Sequence, residues 1–339
     1  MQENKEKDMY ILGIESSCDE TSASIVKNGQ EEIATVISSQ IDIHKDFGGV
    51  VPEIASRHHV KNITMVLEEC LEKANMTVDE IDAIAITYGP GLIGSLLIGL
   101  EAAKTLAWLY KKPLIPVHHI AGHIYANSLV KPLKFPLLAL VVSGGHTELI
   151  EMTDHYKFKK LGGTLDDAIG ECYDKVARVM NLEYPGGPKL DQLAKEGKPT
   201  YKLPIPLQDD SYNFSFSGLK SAVINLAHNE KQRQEVLRPA DLATSFQKVA
   251  IESVVNKTKK AIEDKNIKYL IVAGGVAANQ GLRSEIEKLA EVEKIKMSIP
   301  PMKYCTDNAA MIAAAGYYAY LDGRVADLTL NSTSSATLE

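Results

Sequence analysis

The stretch ILGIESSCDETSASIV at residues 11–26 reads as a buried apolar strand, a small polar turn and a second, alternating strand. Residues 137–152, LLALVVSGGHTELIEM, repeat that order around another turn of small residues. The Asn28-Gly29 pair that ends the first unit predicts a further hairpin. The use of one strand–turn–strand plan twice in one chain indicates a duplicated α/β fold.

The segments that follow each hairpin predict strands interleaved with helices. Residues 53–75 carry apolar side chains at helical spacing, and the short apolar runs at 83–87, 114–117 and 269–273 read as buried strands. We therefore predict two α/β halves of similar plan, divided near residues 131–136, with a cleft between them.

Three glycine-rich turns follow predicted strands, and a fourth contains Asp191. They are YGPGLIGS (88–95), SGGHT (143–147), YPGGPKLD (184–191) and AGGVAANQG (273–281). Because glycine lets backbone N–H groups approach a phosphate, the set favours a nucleotide or acyl-phosphate site, although each alone fits an ordinary tight turn. No P-loop occurs, since the chain has no GK[ST] sequence. Asp191 suits either binding of ribose hydroxyls or capping of a helix.

A pair of histidines in HHIAGH (118–123) has the spacing of a metal site. On a helix, His119 and His123 would share one face and could hold one ion, although two histidines on a solvated helix are the simpler alternative. Ile120 stands where zinc proteases carry their general base, which argues against peptide hydrolysis. A distant carboxylate is a better third ligand than cysteine, because the four cysteines are dispersed without a CxxC motif.

Acidic residues surround the predicted turns. Glu15, with two more carboxylates at residues 19–20, crowds the first hairpin turn. Asp166 and Asp167 are expected to cap a helix N-terminus, whereas Asp174 lies too far inside the segment for that role. Asp307 also suits an N-cap, and spacing alone does not select it as a metal ligand.

The composition excludes several classes of protein. The chain has 339 residues and a net charge of −7, so it has no general affinity for nucleic acid. Its charged start is not a signal peptide, and its apolar runs are too short to span a bilayer. Dispersed cysteines without a signal peptide predict free thiols and a cytoplasmic location. The short basic clusters at 57–61 and 157–160 read as solvated faces.

Eight motifs in register make the chain resemble a known family. They are GIESSCDET, YGPGLIGSLLIG, PVHHIAGH, VSGGHTELI, YPGGPKLD, FSFSGLKSA, VAGGVAANQGLR and CTDNAAMIA. Together they are similar to the universal tRNA threonylcarbamoyladenosine synthesis transferases, once labelled O-sialoglycoprotein endopeptidases. The resemblance implies an α/β actin-like, hexokinase-type duplicated fold, with two ribonuclease H-like lobes around a nucleotide cleft. We expect an N-terminal lobe at 1–131, a C-terminal lobe with a helical insertion at 132–325, and a polar tail at 326–339.

The resemblance also implies a reaction. A threonylcarbamoyl group would pass from threonylcarbamoyl-AMP to N6 of the adenosine at position 37 of tRNAs that read codons beginning with A, and AMP would leave. The donor is already activated, so no covalent nucleophile on the protein is required. Two other classes remain open, namely a metalloprotease and an actin-like ATPase or kinase.

Site residues follow from the resemblance motif by motif. The implied metal ligands are His119, His123 and Asp307, holding one divalent ion, Fe²⁺ or Zn²⁺. The implied contacts of the acyl-adenylate are Val141, Val142, Ser143, Gly144, Gly145, Asp174, Gly187, Asp191 and Asn279. Glu15 is our candidate for handling a proton or ordering the donor. Many relatives carry HHxEGH, whereas this chain has Ala121 in the Glu position, so a carboxylate there is not essential if the chain is active.

The implied partners are macromolecular. They are tRNA, an inactive paralogue of the same fold and a P-loop ATPase, with a separate enzyme that makes the adenylate and no membrane. Because the chain is acidic, we expect either one local basic face or these partners to present the tRNA.

Overall fold

The computed structural model describes residues 7–232 and 237–338 of the chain. Over these ranges it contains ten strands and ten α-helices. The strands are β1 (Tyr10–Glu15), β2 (Glu20–Lys27), β3 (Glu31–Ser39), β4 (Ala83–Gly89), β5 (Leu114–His118), β6 (Leu137–Val142), β7 (Thr147–Asp154), β8 (Lys157–Gly163), β9 (Tyr269–Ala273) and β10 (Lys296–Ser298). The helices are α1 (Ile41–Lys45), α2 (Pro52–Ala74), α3 (Ile93–Tyr110), α4 (His119–Tyr125), α5 (Ile169–Val179), α6 (Gly186–Ala194), α7 (Ser217–Gln232), α8 (Pro239–Lys265), α9 (Gln280–Val292) and α10 (Ala309–Leu321).

The described chain forms two compact units. Among the described residues, unit 1 comprises 7–43, 50–133 and 306–338, and unit 2 comprises 44–49, 134–232 and 237–305. The first division lies close to the predicted boundary at residue 131. The second differs from our expectation, because residues 306–325 belong to unit 1 and not to the C-terminal half: α10 packs against β1 and β2.

The two sheets have the same plan. In unit 1 the strand order is β3-β2-β1-β4-β5, with antiparallel pairing among the first three strands and parallel pairing among β1, β4 and β5. Unit 2 repeats this plan as β8-β7-β6-β9-β10. The predicted duplication is therefore confirmed, down to the hairpin turn in which Asn28 and Gly29 both have positive φ.

Burial explains why the central strands form. All six residues of β6 are buried, as are five of the six in β1, which is typical of strands covered on both faces. The two longest helices, α2 and α8, have the same terminal signals. Each begins at a proline, Pro52 or Pro239, and each is followed by an asparagine in the left-handed conformation, Asn75 or Asn266. The predicted helix at 53–75 is thus confirmed.

The segment predicted as a polar tail belongs to unit 1 and pairs with the backbone of β4 and β5. Ala326 N donates to Leu114 O at 2.9 Å, and Thr333 N donates to Tyr88 O at 3.0 Å.

None of the described helices combines the length and apolar content needed to cross a bilayer.

Candidate functional site

A buried helix in unit 1 carries the two histidines. Strand β5 ends at His118, and α4 begins at His119 with every residue buried. The His118 Nδ1 atom accepts from the backbone N–H of Ile120 at 3.1 Å and so caps the helix. His119 and His123 lie one helical turn from each other. Their ring centroids are 4.7 Å apart, and the angle between the ring planes is 83°.

Asp307 brings a carboxylate to this pair. Asn308, and not Asp307, is the N-cap of α10, because its side chain accepts from Met311 N at 3.0 Å. Asp307 Oδ1 lies 3.2 Å from His123 Nε2 and 3.6 Å from His119 Nε2. The cap role that the sequence suggested for Asp307 therefore belongs to its neighbour.

The three side chains fit a divalent metal ion. One ligand atom from each side chain lies within 4.8 Å of the other two. In a tetrahedral zinc site, ligand atoms lie about 3.3 Å from one another, so a small closure of the three side chains would suit an ion. His123 is fully buried, its Nδ1 makes no hydrogen bond to the described residues, and the 3.2 Å approach of Asp307 Oδ1 to its Nε2 lacks hydrogen-bond geometry. A buried imidazole in this condition is costly unless a ligand pairs with it.

Glu15 orients His119 from the opposite side. Its Oε2 lies 3.3 Å from His119 Nδ1 and accepts from Thr87 Oγ1 at 2.7 Å, while Ser17 Oγ lies 3.2 Å from the same ring nitrogen. A carboxylate behind a histidine fixes the ring so that its other nitrogen points toward a metal. Sequence reasoning missed Thr87, whose only signal is a polar residue at the end of the apolar run AIAIT.

The charges around His119 favour a cation. Burial alone would lower the pKa of His119, but the negative charge of Asp307 and the hydrogen bond and charge of Glu15 raise it to about 9. Two carboxylates thus draw positive charge to this position, as a proton or as a metal ion. Three protein ligands would leave open coordination positions, which is typical of catalytic sites.

Unit 2 contains a cavity of about 370 Å³, within the size range of small-molecule sites. It is bounded by the turn after β6, the N-terminal ends of α5 and α6, and the short 3₁₀ turn at Gly275–Ala278. Five residues that the sequence predicted lie in its wall, namely Gly144, Asp174, Gly187, Asp191 and Asn279.

The other four residues predicted to contact the adenylate are not among those that line the cavity. Val141 and Val142 are fully buried within β6, and their side chains belong to the core. Ser143 closes the turn, because its N–H donates to His146 O and its Oγ accepts from His146 N. Gly145 is exposed and is not among the residues that line the cavity.

Asp174 organises the N-terminus of α6. Its Oδ1 accepts from the backbone N–H groups of Gly186 and Gly187 at 2.8 and 3.0 Å. Burial raises the pKa of this carboxyl, with the two backbone hydrogen bonds opposing the shift. Its role here is therefore to hold the glycine turn at the cavity wall.

Two sequence interpretations need correction. The turn at 88–95 packs against protein segments: Leu92 N donates to Ser17 O at 2.8 Å, and a Cβ on Gly91 would lie 2.6 Å from that same oxygen. Asp166 caps α7 rather than α5, the helix that follows it in sequence. Its Oδ1 accepts from the N–H groups of Phe216 and Ser217. Asp167 instead forms ion pairs with Lys175 and Lys220.

A substitution at Gly144 tests the cavity. No protein atom would lie within 4 Å of a Cβ at this position, so Gly144→Val should leave the free energy of unfolding nearly unchanged. We expect AMP affinity, measured by calorimetry, to fall by about tenfold or more, since the side chain would occupy space that the ligand needs. Unchanged affinity would place the nucleotide elsewhere.

Comparison with known proteins gives a consistent set of relatives. Residues 31–314 match the model of the family described as tRNA N6-adenosine threonylcarbamoyltransferase. The protein of that name from Staphylococcus carnosus is 60% identical over 98% of this chain and 97% of its own length. The one from Bacillus anthracis is 60% identical over 98% of each chain.

Solved structures show the fold. HypF of T. kodakarensis has a TM-score of 0.62 at 16% identity and covers 96% of this chain and 49% of its own. Component A of the Acidaminococcus fermentans (R)-2-hydroxyglutaryl-CoA dehydratase has a TM-score of 0.54 at 16% identity, covering 91% of this chain and 98% of its own. These likenesses confirm the predicted actin-like α/β fold and carry no statement about activity.

Proposed function

The chain belongs to the tRNA N6-adenosine threonylcarbamoyltransferase family, and we propose that it transfers a threonylcarbamoyl group from threonylcarbamoyl-AMP to N6 of adenosine 37 in tRNA, releasing AMP. The observation that carries this proposal is the 60% identity over 98% of the chain to a protein of that name. The metal-fitting triad of unit 1 and the cavity of unit 2 support it.

The cavity residues suit a nucleotide that leaves during the reaction. The dipole at the start of α5 and the glycine backbone around Gly144 would favour a phosphate. Lys195, which sequence reasoning missed, lies in the same wall and provides positive charge. Asp191 offers carboxylate oxygens to ribose hydroxyls. These contacts would hold the donor while the weakly nucleophilic amine attacks its carbonyl carbon.

The metal-fitting triad suits the acyl end of the donor. A divalent ion held by His119, His123 and Asp307 would supply Lewis-acid polarisation of an oxygen of the threonylcarbamoyl group. Two histidines and one carboxylate are a ligand set used by both Zn²⁺ and Fe²⁺ in open sites, and we propose one of these ions. Glu15 would keep the ring of His119 in the orientation that this requires.

The chain offers no activated thiol for a covalent intermediate. All four cysteines are free, and burial raises the pKa of each thiol, to about 12 for Cys70 and Cys172. This supports direct transfer from the adenylate to tRNA. Free thiols also fit the cytoplasm, which we propose as the location.

A transfer assay tests the proposal. Purified chain, its bacterial partners, unmodified tRNA and threonylcarbamoyl-AMP labelled in the threonine should give label in the tRNA and an equal amount of AMP. Steady ATP hydrolysis without tRNA or donor would instead favour the ATPase alternative. Digestion of casein would favour the protease, which Ala121 and Ile120 already argue against because α4 lacks a general base.

We further propose that partners present the tRNA, namely a paralogue of the same fold and a P-loop ATPase. The net charge of −7 opposes tRNA binding. Within the two short basic clusters, Arg57 already pairs with Glu53 at 2.6 Å, and Lys160 pairs with Glu148. One cation in each cluster is therefore already offset by a neighbouring carboxylate.

Salt dependence provides the corresponding prediction. Each phosphate contact should add roughly −0.7 to −0.9 to the slope of log affinity against log salt concentration. We expect weak tRNA binding with a shallow slope for the chain alone and a steeper slope for the assembly, as measured by filter binding. Tight binding with a steep slope by the isolated chain would contradict the role given to the partners.

A further inference from the structure

A glutamine that the sequence did not single out stands behind the cavity of unit 2. Gln247 lies on α8, next to the buried Phe246, and the residue is only 9% exposed. A buried amide is costly unless its polar atoms are paired, so its partners indicate why it is present.

All of its hydrogen bonds go to residues of the cavity wall. Gln247 Nε2 donates to Asp191 Oδ1 at 3.0 Å. Its Oε1 accepts from Asn279 Nδ2 at 3.1 Å and from the hydroxyl of Tyr173 at 3.3 Å. One side chain therefore joins three residues that come from α5, α6 and the turn before α9.

The direction of these bonds is fixed by chemistry. An ionised Asp191 can only accept, which turns the NH₂ end of Gln247 toward it and leaves the Oε1 atom for Asn279. Asn279 must then present its own NH₂ group to Gln247. Its Oδ1 consequently faces the start of α9, where it accepts from Leu282 N at 2.8 Å.

The position of the glutamine is also fixed by packing. A Cβ on Gly281 would lie 2.7 Å from Gln247 Nε2, so the backbone approaches the amide closely from the side of α9. The second oxygen of Asp191 accepts from Gln280 N at 3.2 Å. Asp191 and Asn279 are thus held in one orientation, with the remaining carboxylate lone pairs of Asp191 left for a ligand.

We infer that Gln247 is a positioning residue that sets Asp191 and Asn279 to bind the ribose hydroxyls of the adenylate. A ribose hydroxyl can donate to an acceptor-only carboxylate, which matches Asp191 in the cavity wall beside Asn279. This inference rests on the proposed function, because that function supplies the nucleotide. Gln247 itself acts through its two neighbours and contacts no reacting atom.

The test compares two nucleotides on the full-length chain. AMP carries both ribose hydroxyls, and 2′,3′-dideoxy-AMP lacks them. The variant Gln247→Met keeps the length of the side chain and removes its polar end. We expect its AMP affinity, measured by calorimetry, to fall by about tenfold or more, while dideoxy-AMP affinity changes less than about threefold. In the transfer assay, the loss should fall mainly on KM for the donor.

A matched control lies on the same helix. Thr258 is buried, and its hydroxyl donates within α8 to Val254 O at 2.8 Å, far from the cavity wall, so Thr258→Val should leave both affinities unchanged. If Gln247→Met does not fold, Gln247→Glu serves instead, since it keeps an acceptor for Asn279 and Tyr173 but loses the donor to Asp191.

The outcomes separate the inference from the proposed function. Equal loss of both nucleotides in the variant, or no loss, would overturn the inference and leave Gln247 a purely structural residue. A wild-type chain that transfers the threonylcarbamoyl group but does not prefer AMP over dideoxy-AMP would also overturn it. A wild-type chain that binds neither nucleotide and shows no transfer would instead count against the proposed function.

Discussion

Replacing His123 by alanine is expected to abolish stoichiometric binding of a divalent metal and to lower kcat/KM for transfer by about a thousandfold. The variant removes one of the three ligands that lie within 4.8 Å of each other. An ion held by the triad would supply several kcal/mol of transition-state stabilisation by Lewis-acid polarisation, and each 1.4 kcal/mol corresponds to about tenfold in rate. Elemental analysis and the transfer assay measure the two effects.

The control for this variant is another histidine. His228 is exposed on α7, so His228→Ala should keep both the metal and the activity. Asp307→Asn provides an independent check, because it keeps the shape of the third ligand while removing its charge. Full metal content in His123→Ala would show that the ion binds elsewhere or that the triad holds none.

Gly13→Ala is expected to lower the free energy of unfolding by about 3 kcal/mol. Gly13 lies in the middle of β1, where α10 crosses the sheet. An added Cβ would lie 2.4 Å from Ala309 O and 2.6 Å from Ala313 N. Both are backbone atoms of a packed helix, so the strain cannot be relieved by rotating a side chain.

Urea unfolding followed by circular dichroism measures this loss, and metal content should fall with it because Asp307 directly precedes α10. The matched control is Gly218→Ala at the start of α7, where a new Cβ would meet no atom within 4 Å and alanine favours the helix. A loss below about 1 kcal/mol for Gly13→Ala would mean that α10 does not approach β1 so closely.

The fold was predictable from short-range patterns. Alternation and apolar runs identified β1, β6 and β9, and the repeat of one hairpin plan correctly predicted two halves of similar plan. The return of α10 to unit 1 was not predictable in this way. Its sequence, AAMIAAAGYYAYL, is small and apolar on every face, which indicates burial but does not say against which sheet.

The candidate site was less accessible to sequence reasoning. The i, i+4 spacing placed His119 and His123 side by side, because that relation is local to α4. Asp307 came only from family resemblance, since its approach to His123 depends on tertiary packing. Thr87 and Gln247 were missed for the same reason: each acts on a residue far away in sequence, Glu15 at 72 positions and Asp191 at 56.

The chain order of the metal-fitting triad has a consequence for biosynthesis. His119 and His123 leave the ribosome before any of residues 134–305, whereas Asp307 follows all of unit 2. The sheet of unit 1 likewise lacks α10 until that point. A nascent chain, or a product cut short within unit 2, therefore has two histidines but no complete coordination site. If the triad binds the proposed ion, metal uptake would distinguish chains that extend past Asp307 from shorter ones.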